Sequence, residues 1–469
     1  VAADIRVYGH DYVGGLYGTG SWLKYTDVNQ AGTYENPVTK SSITLTGNET
    51  LRVTGTGDYV GGLFGSAGTE IRYDQVSHVT VIGSGIGTGG VAGKRTGGTL
   101  GQSDFQDINV IGSGSGSSEG KAFLGDEEIS GFTNGSCVGG IAGAERSAQT
   151  VYTRFRDVNV YGNGNYVGGL VGLKSMYSLS ELDVERVNVY SAGGLIGYNC
   201  NNSTISRIIT DEIKVNAPKA SYVGGFAGYA ESTNKSSGGI TESLMKVTVE
   251  AGGADYVGGL VGYGKNVYNL STNTVEATVK APQAQYVAGV IGRLDNDTGR
   301  FYVYKTMVSA DVTGKDKVSA MIGSSGEYQL IGNNGSYAAI YNNLIAANLK
   351  VTEDQDTATA SYVYSSTVNG ETQKDLVPYT VGASCPYPYR QRLWDNSSIT
   401  YGYSQGEGGS STGTVVKITD QQFANSKKTT GTLGYWMDSS ETMQPKEKNA
   451  YAYALVSSET LKNPKLYRG

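Results

Sequence analysis

A segment of the form Tyr-Val-Gly-Gly-Leu-x-Gly recurs ten times along the 469 residues, and this self-similarity restricts the fold more than any other feature. Clear copies occupy residues 12–18, 59–65, 166–172, 222–228 and 256–262, and degenerate ones residues 87–93, 137–143, 191–197, 286–292 and 317–323. The closing glycine is present in all ten: Gly18, Gly65, Gly93, Gly143, Gly172, Gly197, Gly228, Gly262, Gly292 and Gly323. Most copies follow one another after 25 to 34 residues, with two longer steps of 47 and 50. The surplus in those steps falls at 19–50 and 112–136, which reads as insertions into a regular array, tolerated because each repeat touches only its neighbours.

Ahead of each motif lies a run of period-two alternation, such as Val158-Asn159-Val160, Val187-Asn188-Val189 or Val247-Thr248-Val249. This is the signature of a half-buried strand with Asn and Thr outward. A looser third stretch, such as Tyr152-Thr153-Arg154-Phe155 or Tyr302-Val303-Tyr304-Lys305, separates one motif from the next alternating run. Three strand-like pieces in ~30 residues, without sustained helical periodicity, describe one coil of a right-handed parallel β-solenoid. A propeller blade of ~40 to 50 residues with four strands does not fit that spacing. The expected layout is a solenoid of ten to eleven coils over 1–352, then a smaller irregular β-rich cap over 353–469, with Trp394 and Trp436 as core residues. The first motif follows Ile5-Arg6-Val7 with no polar cap before it, which reads as a missing start and an open strand edge suited to end-to-end association.

Glycine needs a cause, since the chain carries 69 glycines and only 8 prolines; collagen would require a strict triplet and abundant proline. Val13 and Leu16 can both face inward only if the backbone bends between them, so Gly14 and Gly15 are expected at a bend and the closing glycine at the next corner.

The net charge of −6 and the lack of a basic patch interleaved with aromatics argue against a nucleic-acid partner, and no run of ~20 apolar residues spans a membrane as a helix. Cys137, Cys200 and Cys385 lack zinc-ligand spacing and read as free thiols. Two coils, ~10 Å along the axis, separate Cys137 from Cys200, too far for a disulfide. Asn-x-Ser/Thr triplets at Asn48, Asn134, Asn201, Asn202, Asn234, Asn269, Asn296, Asn334 and Asn396 permit surface glycosylation.

Candidate chemistry is sparse. The two histidines, His10 and His78, stand near no nucleophile and read as exposed turn or strand residues. Asp295, Asp297 and Gly299 resemble the start of a calcium loop, but the glycine comes early and no glutamate closes it, so neither a metal nor a cofactor is expected. Glu127, Glu128, Glu353, Asp354 and Asp356 read as solvated loop charges. Tyr222, Tyr256 and Tyr286 share one repeat position on adjacent coils and should stack into a ladder, either as plain structural packing or as a surface for sugar rings or a second subunit.

The motif at 166–172 and 256–262 resembles the GLUG repeat of bacterial surface proteins. The likeness covers about residues 5 to 323, and residues 417–423 and 434–436 resemble the closing segment that follows such arrays. It implies a secreted or cell-surface, adhesin-like protein, and carries no catalytic residue. The expected role is therefore an extracellular structural or adhesive element, not an enzyme, that self-associates or binds a host or matrix glycan or protein. The rival role is a carbohydrate-binding or carbohydrate-active solenoid, disfavoured because the coil faces read as Asn, Thr, Ser and Gly rather than clustered Arg, Lys and acids.

Overall fold

A computed structural model describes residues 5–20, then, apart from short breaks, 50–112, 122–129, 137–325 and 338–352, and beyond these the strands Ser361–Val368, Glu371–Pro378, Arg392–Trp394, Ile399–Tyr403 and Val415–Thr419. All elements among these residues are strands, and those of the repeat array stack in parallel as a β-solenoid. The repeat is one circuit of backbone. Tyr222, Val223 and Gly224 pair with Tyr256, Val257 and Gly258, which pair in turn with Tyr286, Val287 and Ala288. Each motif also gives one strand to a ten-stranded sheet that runs the length of the array.

Like positions pile into a single core, as the in-register pairing requires. The motif's apolar residue after the glycine pair is at most 1% exposed at Leu63, Val91, Ile141, Leu170, Leu195, Phe226, Leu260, Val290 and Met321. Each such burial contributes about 1.5–3 kcal/mol. The alternating strands behave as their period dictates, with Val158 and Val160 inside and Asn159 half-buried. On that outer side Asn188 donates to Asn159 and Asn159 to Asn109, at 2.9 and 3.0 Å, which forms an amide ladder up three coils. Ladder pairing closes across both insertions: Ile5–Gly9 pairs with Leu51–Gly55, and Asp104–Gly112 with Gln149–Gly162. Within the second insertion Ala122–Leu124 and Glu127–Ile129 form an antiparallel pair.

The closing glycines do not make corners, contrary to the expectation. All ten are the second residue of a strand in the ten-stranded sheet, for example Gly172 in Val171–Ser175 and Gly262 in Val261–Lys265. What excludes a side chain there is close approach of backbone. A Cβ on Gly172 would lie 2.5 Å from Val138 N, and one on Gly262 2.5 Å from Val223 N, in the coil before. The bend at the glycine pair does occur, at the second glycine and the apolar residue after it.

Corners fall on non-glycine residues in the left-handed region. His78, Asp107, Asp157, Arg186 and Glu212 form one such column, with φ between 51° and 61°. Gln102, Tyr152, Glu181, Arg207 and Glu242 form another, with φ between 50° and 56°. These residues drop out of the ladder: Gln106 pairs with Arg156 and Ile108 with Val158, while Asp107 and Asp157 are skipped. The left-handed conformation costs about 1–2 kcal/mol per residue. Contacts up each column offset part of it, with His78 Nδ1 2.7 Å from Asp107 Oδ2, Arg186 Nε 2.6 Å from Asp157 Oδ1, and Arg207 bridging Glu181 and Glu242 at 2.5 and 3.2 Å. The first column ends at a register shift between Ile209 and Ile213, after which Leu244–Ala251, Thr274–Ala281 and Met307–Gly314 pair without a skipped residue.

After Leu344–Val351 the pattern changes. That strand pairs in parallel with Arg392–Trp394, and Ile399–Tyr403 and Val415–Thr419 follow antiparallel. Ser361–Val368 and Glu371–Pro378 make a hairpin. The side chain of Trp394, together with Trp436 and Cys385, lies outside what is described.

Candidate functional site

Three groups of side chains depart from the plain repeat. The first is a charged cluster on the outer side of Asp104–Gly112, Gln149–Gly162 and Leu179–Tyr190. Ladder register sets Asp104 beside Arg154 and Arg154 beside Asp183, and on the next outward column Gln106 beside Arg156 and Arg156 beside Glu185. Arg154 Nε donates to Asp183 Oδ2 at 3.1 Å, and Arg156 Nη2 to Asp104 Oδ2 at 2.7 Å. The expectation of neutral coil faces is therefore wrong on these three strands. Arg and acid residues separated by one coil in sequence become neighbours in space, and single runs such as Tyr152-Thr153-Arg154 do not display that.

Asp183 is 3% exposed, and burial pushes its carboxyl up to about 6 against the pull of Arg154. Folding thus favours its neutral form. The resulting stability is present below its ordinary 3.8 and is lost as pH rises through about 6. Asp183→Asn is expected to abolish this dependence, which amounts to roughly 2–3 kcal/mol across the interval. Urea melts at several pH values check it, and parallel curves for the two proteins would exclude the shift.

The second group is an aromatic wall. Tyr222, Tyr256 and Tyr286 do stack, with centroids 5.8 and 5.3 Å apart. A column unforeseen in the sequence joins them, formed by the residue after the closing glycine: Tyr198, Tyr229 and Tyr263, in register with Arg293. Tyr222 meets Tyr229 and Tyr263 at 5.7 and 5.2 Å, and Tyr166 meets Tyr198 at 5.0 Å. Each ring pair adds about 0.5–1.5 kcal/mol. The phenols are satisfied: Tyr198 and Tyr229 donate to Glu231 Oε2, Tyr263 donates to Asp295 Oδ2 at 2.7 Å, and Arg293 donates to the Tyr256 hydroxyl and lies over its ring. Burial pushes the Tyr198 and Tyr229 hydroxyls well up, followed by Cys200 for Tyr198 and by Glu231 for Tyr229. Rings of neighbouring coils therefore pack on one another, and Tyr222 remains 38% exposed at the edge of the wall.

The third group is an interior column of the ten-stranded sheet: Arg95 pairs with Glu145, Glu145 with Lys174, and Lys174 with Asn199. Arg95, Glu145 and Lys174 are fully buried. Both cations contact Glu145, Arg95 Nη1 at Oε1 and Lys174 Nζ at Oε2, the latter at 3.0 Å. Arg95 also donates to Thr150 Oγ1 and the Gln149 carbonyl, and Lys174 to the Ala148 carbonyl. Burial alone would raise the Glu145 carboxyl, but the two cations hold it below its ordinary value, while burial lowers Lys174. Here too the residues lie 50 and 29 apart in sequence, and only the coil register reveals that they share a column.

The remaining candidates fall as follows. His10 is exposed beside Asp11, and His78 sits at a corner against Asp107. Cys137 and Cys200 are free and buried; burial raises both thiols, that of Cys200 to about 11. Asp295 is engaged by Tyr263 and Arg293, and Asp297 and Gly299 lie outside the described residues. Asn269 is half-buried in Asn269–Ser271, while Asn48, Asn134, Asn201, Asn202, Asn234, Asn296, Asn334 and Asn396 are not described, nor are Glu353, Asp354 and Asp356. Of Glu127 and Glu128 only the strand is described. Among the described residues no three His, Cys, Asp or Glu side chains group as a metal site, and no helix is long and apolar enough to cross a membrane. No family model, curated protein or solved structure matches the chain.

Proposed function

We propose that this chain is an extracellular structural or adhesive element, a stiff stalk or filament subunit of a cell surface. One observation carries the reading: a single hydrophobic core runs unbroken from Val13 to Ile322 beneath ten in-register strands. At ~4.8 Å per strand this makes a rod of roughly 45–50 Å that resists bending at every coil. The resemblance of residues 166–172 and 256–262 to GLUG repeats supports a surface location. Negative-stain images and sedimentation across a concentration range should show rods that lengthen by whole copies, and protease treatment of intact source cells should release the chain. Rods that stay single would remove the filament role; a chain inaccessible on intact cells would remove the surface role.

A second reading, a carbohydrate-active solenoid, is favoured by the Asp104, Arg154, Arg156, Asp183 cluster. A carboxyl near 6 beside two guanidinium groups suits proton transfer on an acidic sugar. Turnover of acidic polysaccharides that disappears in Asp183→Asn would support it, and inactivity of the intact protein on such polymers would reject it.

A further inference from the structure

The interior charge column brings an amine, a carboxyl and a carboxamide together on three consecutive strands. Glu145 pairs with Lys174 and Lys174 with Asn199, so their backbones are ~4.8 Å apart at each step. Glu145 and Lys174 are fully buried and Asn199 is 8% exposed, so the amine and carboxyl are out of solvent's reach. The column carries two cations and one anion, which leaves a surplus positive charge in the interior, a costly arrangement. The Asn199 Oδ1 atom is buried with no hydrogen-bond partner. A cavity of about 20 Å³, lined by Asn199, Ser203, Ser232 and Glu231 among others, adjoins it and has room for one water-sized molecule.

We infer that Lys174 and Asn199 condense into an amide crosslink between neighbouring coils, with Glu145 as the proton relay. Lys174 Nζ, 3.0 Å from Glu145 Oε2, gives that carboxylate a proton and becomes a nucleophilic amine. The amine swings on its four-carbon stem from the coil of Glu145 towards that of Asn199, one strand spacing away. Its lone pair attacks Asn199 Cγ and the Nζ–Cγ bond forms. Within the adduct a proton passes from Nζ to Nδ2; the Cγ–Nδ2 bond then breaks as the carbonyl re-forms, and Nδ2 leaves as ammonia. The proton left on Glu145 departs with the ammonia as ammonium, so no oxidant, reductant or further reactant is involved. The surplus charge leaves with it, and Glu145 then faces Arg95 alone as a neutral pair. Burial of Lys174, which lowers its hold on the proton, assists the first step. The cavity beside Asn199 receives the leaving group.

The test is the denatured intact mass of the full chain together with a proteolytic map. Expected are a mass below that of the sequence by one ammonia and a branched peptide joining the segments that contain Lys174 and Asn199. Lys174→Arg, Asn199→Ala and Glu145→Gln should each restore the full mass. A native chain of full mass with both segments recovered as linear peptides would overturn the inference. An ammonia loss that persists in Lys174→Arg would do so as well, because it marks a succinimide elsewhere. The branched peptide is read on the native protein, so the outcome does not depend on the variants folding.

Discussion

Glu145→Ala should lower the stability of the coil stack by about 3–5 kcal/mol or more, because it leaves Arg95 and Lys174 buried on either side of it with no counter-charge. Denaturant melts followed by hydrogen exchange would place the loss in the strands Ala92–Arg95, Ala142–Arg146 and Val171–Ser175. The pH dependence has a defined sign. A carboxyl held below its ordinary 4.5 stabilises the fold above that pH and loses its contribution as pH falls through the lower folded value. Native protein should therefore weaken below about pH 4.5 by an increment that Glu145→Ala lacks. Replacing the whole column, Arg95→Met with Glu145→Leu and Lys174→Met, should be far milder than the single change, since it removes the charges together with the need to pair them. A triple variant as damaged as Glu145→Ala would mean that the column contributes through packing rather than through charge.

Gly172→Val should be the other severe substitution. Its Cβ would sit 2.5 Å from Val138 N and 2.6 Å from the Gly143 carbonyl, in backbone that is itself paired and cannot yield. Even alanine forces a shift, and the two further methyl groups of valine should cost about 3 kcal/mol or more and separate the strands on either side. Gly97→Ala is the control, because a Cβ there meets nothing closer than the Gly68 carbonyl at 3.7 Å. Limited proteolysis and thermal melts should find Gly97→Ala near native and Gly172→Val cleaved within the array. Equal tolerance at both positions would contradict the close approach of the coils.

The stacked coils were legible because the signal was redundant. Ten copies of one motif at a near-constant step leave few architectures, and the valine and leucine positions then pack as the period requires, except in the first copy, where Val13 is buried but Leu16 is 36% exposed, contrary to the expectation that both face inward. The tyrosine ladder was legible for the same reason, since Tyr222, Tyr256 and Tyr286 hold one place in the repeat. Its second column was not, because Tyr198, Tyr229 and Tyr263 fill a variable place that Lys94, Ala144 and Leu173 fill in other coils. The role of the closing glycine was misassigned because chain-local reasoning sees only a permissive dihedral. The true constraint, another coil's backbone 2.5 Å from the missing Cβ, lies about thirty residues away in sequence. The same local view hid the corners, which carry Asp, Glu, Arg, His, Gln and Tyr with no shared residue type to mark them.

By itself the sequence determined the period, the parallel stacking and the identity of the inward-facing apolar residues, because these follow from hydrophobic spacing along a single coil. Tertiary structure alone decided which charges meet. Arg95, Glu145 and Lys174, or Arg154 and Asp183, become partners only when coils of unequal length are laid in register. The energy of a buried charge is set by those neighbours and by the exclusion of water, quantities that exist only once the stack has formed.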